Sequence, residues 1–271
     1  MDMTDKPVPA TVLAVGAHPD DIEFMMGGTL ALLGRAGWKI NCLTVGNGSC
    51  GTAAESPDSI IRKRREEARE ACAVIGGHWH GGFSNDLEIT YSPGLTSRIL
   101  AIVREARPRI MLVPSPADYM EDHSITARLA VTAGFARGML NFPSIPPLPP
   151  EDFPLTVYHA LPYGLRGPLR EVIHAGQYAD ITQVIETKTR MLACHRSQKE
   201  WLDKSQGLDS YLEEMRRQSI EAGRMSGKFG MAEGWRRHSH LGFTGGDTDP
   251  LGEALAEYNL ADARYEKELD S

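Results

Sequence analysis

The sequence has few cysteines, and none of them lies close to another. The four are widely separated and include no CxxC pair: Cys42, Cys50, Cys72 and Cys194. Cysteine-ligated zinc knuckles and thioredoxin-like redox sites both need such pairs, so neither is expected. Free thiols are typical of a reducing compartment, and we expect a cytoplasmic protein.

Basic residues are also too few for a nucleic-acid-binding protein. Lys and Arg total 29 against 36 Asp and Glu, which gives a formal net charge of -7. Binding to a phosphate backbone depends on clustered cations that displace counterions. Neither DNA nor RNA is therefore an expected partner.

Two further patterns are missing. No apolar run approaches the ~20 residues of a membrane span, and residues 1–10 lack the basic start and apolar centre of a signal peptide. We expect no membrane association. The GxGxxG phosphate-binding pattern is interrupted at Gly16-Ala17-His18, which argues against a nucleotide site.

What the sequence does contain is the composition and alternation of an α/β protein. Hydrophobic residues make up 41% of the 271 residues, enough for a sizeable core. Short apolar runs alternate with helical patterns, which predicts a Rossmann-like, mostly parallel, doubly wound sheet. The strands are predicted at 11–16, 39–45, 78–82, 110–113 and 155–161, and the helices between them at 24–36, 57–75, 95–105 and 124–137.

We divide the chain into two parts. A Rossmann-like domain is predicted over residues 1–206, and six prolines make 141–154 an extended loop within it. Residues 207–271 are predicted as a C-terminal helical extension packed on that domain.

The informative segment is AHPDDIE, residues 17–23, which follows the first predicted strand directly. Ligands of open α/β sheets bind at the carboxyl ends of the strands. A histidine and two carboxylates at this place can supply two metal ligands and leave one carboxylate free. A catalytic zinc ion needs about three protein ligands, an open position for water and a neighbouring base.

The third ligand has to come from the end of another strand. Asp122-His123 follows the predicted strand at 110–113 and begins a helix. We therefore expect His18, Asp21 and His123 to hold the metal. The alternative is that the aspartate and the two histidines only cap helices.

These residues resemble a known family. The AHPDDIE segment, the later DH at a helix start and the fragments RREEAREACAVIG and HRSQ are similar to PIG-L/LmbE-type zinc-dependent de-N-acetylases. The resemblance extends over about residues 12–198. It implies one Zn²⁺ per chain, or another divalent metal, with Asp20 as the general base and an acetylated amino sugar as the substrate.

The sequence departs from the family at one position. Members often carry a histidine three residues before the ligand histidine, where this chain has Met120, and a thioether cannot donate a proton. We predict His159, near the end of a strand, as the replacement catalytic residue. A satisfied structural histidine is the alternative.

Three residues are predicted to contact the substrate. Arg64 matches the family's R-x-x-E pattern, Asp86 matches a position that faces the sugar, and Trp235 can stack on a sugar ring. The alternatives are a solvated ion pair for the arginine, a turn for the aspartate and plain packing for the tryptophan. His238 and His240 have no carboxylate or cysteine at ligand spacing, so a second metal site is not expected.

The expected function is hydrolysis of the acetyl amide of an N-acetylated amino sugar or N-acetylglucosamine conjugate. The expected partner is this small molecule, in a homo-oligomeric protein. An amidase with another amide substrate and a non-catalytic metal- or sugar-binding homologue remain alternatives. An iron(II) oxygenase also uses two histidines and one carboxylate, but it needs no spare carboxylate such as Asp20.

Overall fold

A computed structural model describes residues 9–199 and 211–269. Within these residues, eight strands form one sheet in the order β3-β2-β1-β4-β5-β7-β6-β8. The strands are β1 (Thr11–Gly16), β2 (Lys39–Gly46), β3 (His78–Ser84), β4 (Ile110–Val113), β5 (Thr156–Ala160), β6 (Gln177–Asp180), β7 (Ala232–Arg237) and β8 (Asn259–Ala261).

The first five strands are parallel, and the other three extend the sheet in antiparallel fashion. The order β3-β2-β1-β4-β5 is that of a doubly wound fold, in which right-handed crossovers place helices on both faces. The prediction of an α/β fold with a mostly parallel sheet is confirmed for this half.

Helices cover both faces of the sheet. They are α1 (Asp21–Arg35), α2 (Pro57–Ala73), α3 (Pro93–Ala106), α4 (Glu121–Phe135), α5 (Ile185–Ala193), α6 (Tyr211–Ser226), α7 (Pro250–Ala254) and α8 (Ala263–Leu269). Side chains of β1 alternate between two cores: Val12 and Ala14 face the core with α1, and Leu13 and Val15 face the core with α3 and α4. An uninterrupted apolar strand is what burial on both faces requires.

Local signals explain where the helices begin. Ser56 caps α2 by accepting a hydrogen bond from the amide of Ser59, and Pro57 occupies the first turn. Ser92 and Pro93 repeat this arrangement at α3. Helix α1 begins at Asp21, directly after Asp20, which has a positive φ. Because β1 ends at Gly16, the helix starts at the edge of the sheet where that strand ends.

Residues 207–271 are predicted as a helical extension, but the described part, 211–269, contributes two strands to the sheet besides the helices α6, α7 and α8. Strand β7 lies inside the sheet, between β5 and β6, and β8 pairs with β6 at the edge. The segment AEGWRR lacks the apolar alternation that predicts a strand, because the chain buries Glu233 in an ion pair with Lys188 at 2.7 Å. The predicted boundary at residue 206 lies outside the described residues.

The segment 141–154 contains no helix or strand, as its prolines predict. Within the described ranges, no helix is both long enough and apolar enough to cross a membrane.

Candidate metal centre

Two segments that are far apart in sequence meet at the carboxyl edge of the sheet. His18 lies in the turn between β1 and α1, Asp21 is the first residue of α1, and His123 lies in the first turn of α4, after β4. Because β1 and β4 are adjacent and parallel, their ends lie side by side. One potential ligand atom from each of the three residues falls within 4.8 Å of the other two.

Each histidine is oriented by a carboxylate on the side away from Asp21. The Nε2 atom of His18 lies 3.0 Å from Asp122 Oδ2, and the Nδ1 atom of His123 lies 3.0 Å from Asp118 Oδ1. The remaining nitrogens face Asp21, with His123 Nε2 at 3.4 Å and His18 Nδ1 at 3.6 Å. A carboxylate behind each imidazole fixes the tautomer and directs the other nitrogen toward a metal.

Asp21 is held in place by the backbone. Its Oδ2 accepts hydrogen bonds from the amides of Ala17 at 2.9 Å and His18 at 2.7 Å. Its Oδ1 faces His123. The carboxylate is thus fixed before any ion binds, which limits the entropy that binding would cost.

The charges at this site attract cations. Burial by itself lowers the pKa of His18, but the hydrogen bonds to Asp122 and Asp21 outweigh burial and raise it to about 9. Burial also lowers the pKa of His123, and the charge of Asp21 with the hydrogen bond to Asp118 raises it to about 11. Without a metal ion, both imidazoles therefore bind a proton, and the surrounding carboxylates stabilise the resulting positive charge.

The donor set fits a divalent metal ion. Two imidazole nitrogens and one carboxylate oxygen are the ligands of many catalytic zinc sites, in which a fourth position stays open. Three aspartates contact the two imidazoles, and this excess of negative charge is what a divalent cation would neutralise: Asp21, Asp118 and Asp122.

The other carboxylate of the AHPDDIE segment, that of Asp20, has different partners from that of Asp21. Its φ of 108° is in the left-handed region, which costs a non-glycine residue about 1–3 kcal/mol. Its Oδ2 accepts a hydrogen bond of 2.6 Å from the hydroxyl of Tyr211, and the Nη2 atom of Arg64 lies 3.5 Å away. Burial raises the pKa of Asp20, against the opposing effect of Arg64.

A cavity of about 840 Å³ opens over these residues. Its floor contains the three candidate ligands and Asp20, and Met120 also lines it. One wall is aromatic and is formed by Phe24, Tyr119, Tyr163 and Tyr211. Such a volume suits a small organic molecule with more than one ring.

Two of the three predicted substrate contacts lie in this cavity. Arg64 is buried and donates to the carbonyl oxygen of Pro19, so that it also supports the turn before Asp20. Asp86 accepts hydrogen bonds from the amides of Gly48 at 2.8 Å and Cys50 at 3.0 Å. Both side chains line the cavity while holding its loops.

The structure does not support two further predictions, the catalytic role of His159 and the sugar contact of Trp235. His159 is not among the residues that line the cavity in the described chain: its Nδ1 contacts Pro114 O at 2.9 Å and its Nε2 contacts His238 Nδ1 at 3.1 Å. Strand β5 ends beside β7, and this pairing turns the histidine toward His238. Trp235 is 0% exposed and donates to Thr29 Oγ1, so it packs in the core and cannot stack on a sugar.

Sequence reasoning missed three polar residues of the site. Asp118 and Asp122 orient the histidines, and Tyr211 contacts Asp20. The two aspartates lie within five residues of His123, and this spacing was the available signal. Tyr211 had none, because 191 positions separate it from Asp20.

Comparison with known proteins adds information on family. The model described as PIG-L, GlcNAc-PI de-N-acetylase, matches residues 13–134. The diacetylchitobiose deacetylase of Thermococcus kodakarensis is 28% identical over 194 residues, which are 69% of this chain and 69% of that protein.

Two solved structures show the fold. The N,N'-diacetylchitobiose deacetylase from Pyrococcus horikoshii superposes with a TM-score of 0.70 at 23% identity, over 89% of this chain and 88% of that one. The 4-carboxy-2-hydroxymuconate hydratase GalB from Pseudomonas putida KT2440 gives 0.69 at 21% identity, over 85% and 96%. Because the two proteins are named for different reactions, the fold alone does not select the chemistry.

Proposed function

We propose that this chain is a deacetylase of the PIG-L/LmbE type and that it uses a divalent metal ion to remove the acetyl group from an N-acetylated amino sugar or an N-acetylglucosamine conjugate. The observation that carries the proposal is the convergence of His18, Asp21 and His123 in a cavity whose floor also contains the buried carboxylate of Asp20. Its sequence relative from Thermococcus kodakarensis is a deacetylase of an acetylated sugar.

His18, Asp21 and His123 would hold the ion, and zinc is our proposal for its identity. When bound, such an ion polarises the amide carbonyl and lowers the pKa of water. The remaining steps belong to the chain. The carboxylates of Asp118 and Asp122 keep both imidazoles in the ligand orientation.

Asp20 is the proposed general base. Its Oδ2 is held by Tyr211 and faces Arg64, which leaves Oδ1 to accept a proton from the attacking water. The two residues are adjacent, but the carboxylate of Asp20 contacts Tyr211 and Arg64, whereas that of Asp21 faces the two histidines. Two neighbouring aspartates thereby have two roles.

The amine that leaves needs a proton, and Met120 cannot supply it. Within the described chain, the only histidines that line the cavity are His18 and His123, which we assign to the metal. We therefore propose that Asp20 returns to the amine the proton that it took from water. The amide C–N bond breaks, and acetate and a free amino sugar are the products.

The test is release of acetate and of free amine from N-acetylglucosamine, N,N'-diacetylchitobiose and simple N-acetylglucosaminides. The protein is depleted of metal with a chelator and then reconstituted with Zn²⁺, Fe²⁺ or no ion. We expect equal amounts of both products with zinc and none in the depleted protein. His123→Ala should abolish turnover, and His159→Ala, outside the cavity, is the matched control.

Other outcomes identify other functions. Binding of zinc and sugar without acetate would indicate a non-catalytic homologue, in keeping with Met120. Release of a different acid from a wider set of amides would indicate an amidase of other specificity. Either result would overturn the proposed reaction.

A further inference from the structure

The cavity of about 840 Å³ is larger than one acetylated sugar ring, and one short hairpin forms part of its lining. Residues 163–173 leave the sheet after β5, and Arg166 pairs with Val172 in an isolated bridge. The amide of Gly167 donates to the carbonyl of Glu171 at 2.9 Å, and that of Ile173 donates to Leu165 at 3.1 Å. We call this segment the mouth hairpin.

The mouth hairpin is anchored at its base. Leu165 and Ile173 are buried in a small apolar core with Leu161, Ala175 and Tyr178. The tip lies over the cavity, which is lined by Arg166, Gly167, Pro168 and Arg170. A fixed base with a polar tip is the geometry of a binding loop on a rigid scaffold.

Charge is distributed unevenly over this tip. Its two cations, Arg166 and Arg170, line the cavity, while the carboxylate of Glu171 lies next to Gly167 and does not. Arg166 Nη1 donates to the carbonyl of Arg170 at 2.9 Å, and Arg170 has a φ of 74°. Among the described residues, neither guanidinium forms an ion pair with a carboxylate.

An acidic residue of the cavity wall, Glu214, already has an arginine partner outside the mouth hairpin. Glu214 also lines the cavity, but its two carboxylate oxygens each accept a hydrogen bond of 2.7 Å from Arg217. The protein has a net charge of -7, but these two cations without acidic partners make the tip of the mouth hairpin locally positive. Guanidinium groups bind carboxylate and phosphate oxygens in a forked geometry.

A row of aromatic rings connects the metal centre with the mouth hairpin. The ring of Tyr119 lies edge-on to His123 with centroids 5.8 Å apart, and the ring of Tyr163 follows at 5.9 Å from Tyr119. Tyr163 is three residues before Arg166. A ligand that places its acetamido group at the metal can therefore stack along these rings toward the arginines.

We propose that the mouth hairpin is a subsite for an anionic group, a carboxylate or a phosphate, at the end of the substrate remote from the acetamide. This inference rests on the proposed function and narrows its substrate to anionic conjugates of an acetylated amino sugar. Arg166 and Arg170 bind the anion, and Tyr119 and Tyr163 support the group that connects it to the sugar.

The test uses N-acetylglucosaminides of one aromatic aglycone that carries a carboxylate, a phosphate or an uncharged carboxamide. We measure kcat/KM for acetate release and, by calorimetry, Kd for the zinc-loaded protein. The wild type should prefer the two anionic conjugates, and added salt should weaken that preference. Arg170→Ala and Arg166→Ala should each reduce the ratio of carboxylate to carboxamide about tenfold, the size expected for loss of one charge-assisted hydrogen bond.

Arg224→Ala is the matched control, because this exposed arginine pairs with Glu221 and does not line the cavity. It should leave the ratio as it is. Equal kcat/KM and equal Kd for the charged and uncharged conjugates would overturn the subsite while leaving deacetylation intact. If no conjugate releases acetate, the proposed function fails, and the Kd values still decide whether the arginines bind anions.

Discussion

Replacing Tyr211 by Phe removes one hydroxyl from the site and leaves its ring in place. In the wild type this hydroxyl donates to Asp20 Oδ2 over 2.6 Å, and burial raises the pKa of the phenol, so that it remains a neutral donor. Without it, the Arg64 guanidinium, 3.5 Å from the same oxygen, becomes the main partner of the carboxylate. The base is then drawn toward an ion pair.

A hydrogen bond to a charged group contributes about 1.5–3 kcal/mol. If Tyr211 acts only by orienting Asp20, loss of this hydrogen bond raises the activation free energy by about that amount, and kcat falls roughly 10- to 100-fold. KM should change little, because the ring still packs against Phe24 with centroids 5.7 Å apart. Zinc content should stay at one ion per chain.

The assay is steady-state acetate release, with metal content and melting temperature measured on the same samples. Tyr91→Phe is the matched control, because this tyrosine also loses one hydroxyl hydrogen bond, to Thr132, and is not among the residues that line the cavity. A kcat within twofold of the wild type for Tyr211→Phe would refute the reasoning. An equal loss in the control would refute it as well, because the effect would then not be specific to Asp20.

Three other predictions follow from the charges of the site and core. Asp118→Asn and Asp122→Asn should each weaken zinc binding roughly 10- to 100-fold in a competition titration, because each leaves an imidazole without its orienting carboxylate. In the metal-free protein the pKa values of His18 and His123 are raised from 6.5 to about 9 and about 11. The two protonated imidazoles therefore stabilise the fold fully below pH 6.5, and this stabilisation is lost as the pH rises through the raised pKa values. A melting temperature that increases from pH 6.5 to 9.5 would contradict this prediction. Glu233→Ala should cost about 3–5 kcal/mol in urea unfolding, because a buried lysine and two backbone amides lose their acceptor.

Much of the fold could be predicted from local patterns. Strands β1 and β4 are short apolar runs with nothing polar to interrupt them, and the structure gives them the predicted bounds of 11–16 and 110–113. Strand β7 could not be predicted in this way. Its glutamate is buried against the middle of α1 and a lysine of α5, and no neighbouring residue in the sequence indicates those partners.

The site shows the same division. His18, Asp21 and His123 could be brought together from the sequence, because strand ends meet at one edge of a parallel sheet and the residue types are metal ligands. Tyr211 and the mouth hairpin could not, because their positions depend on how the chain returns to the cavity after β5. The predicted roles of His159 and Trp235 are not supported for a related reason. Pairing of β5 with β7 determines which way each side chain points.

The central claim is that one carboxylate next to a three-residue metal site activates water. Its most direct test is acetate release by zinc-reconstituted Asp20→Asn, with zinc measured in the same preparation. The account predicts one zinc ion per chain and a kcat reduced roughly 10²- to 10⁴-fold, the usual contribution of a general base. A variant that binds zinc and releases acetate at the wild-type rate would contradict it.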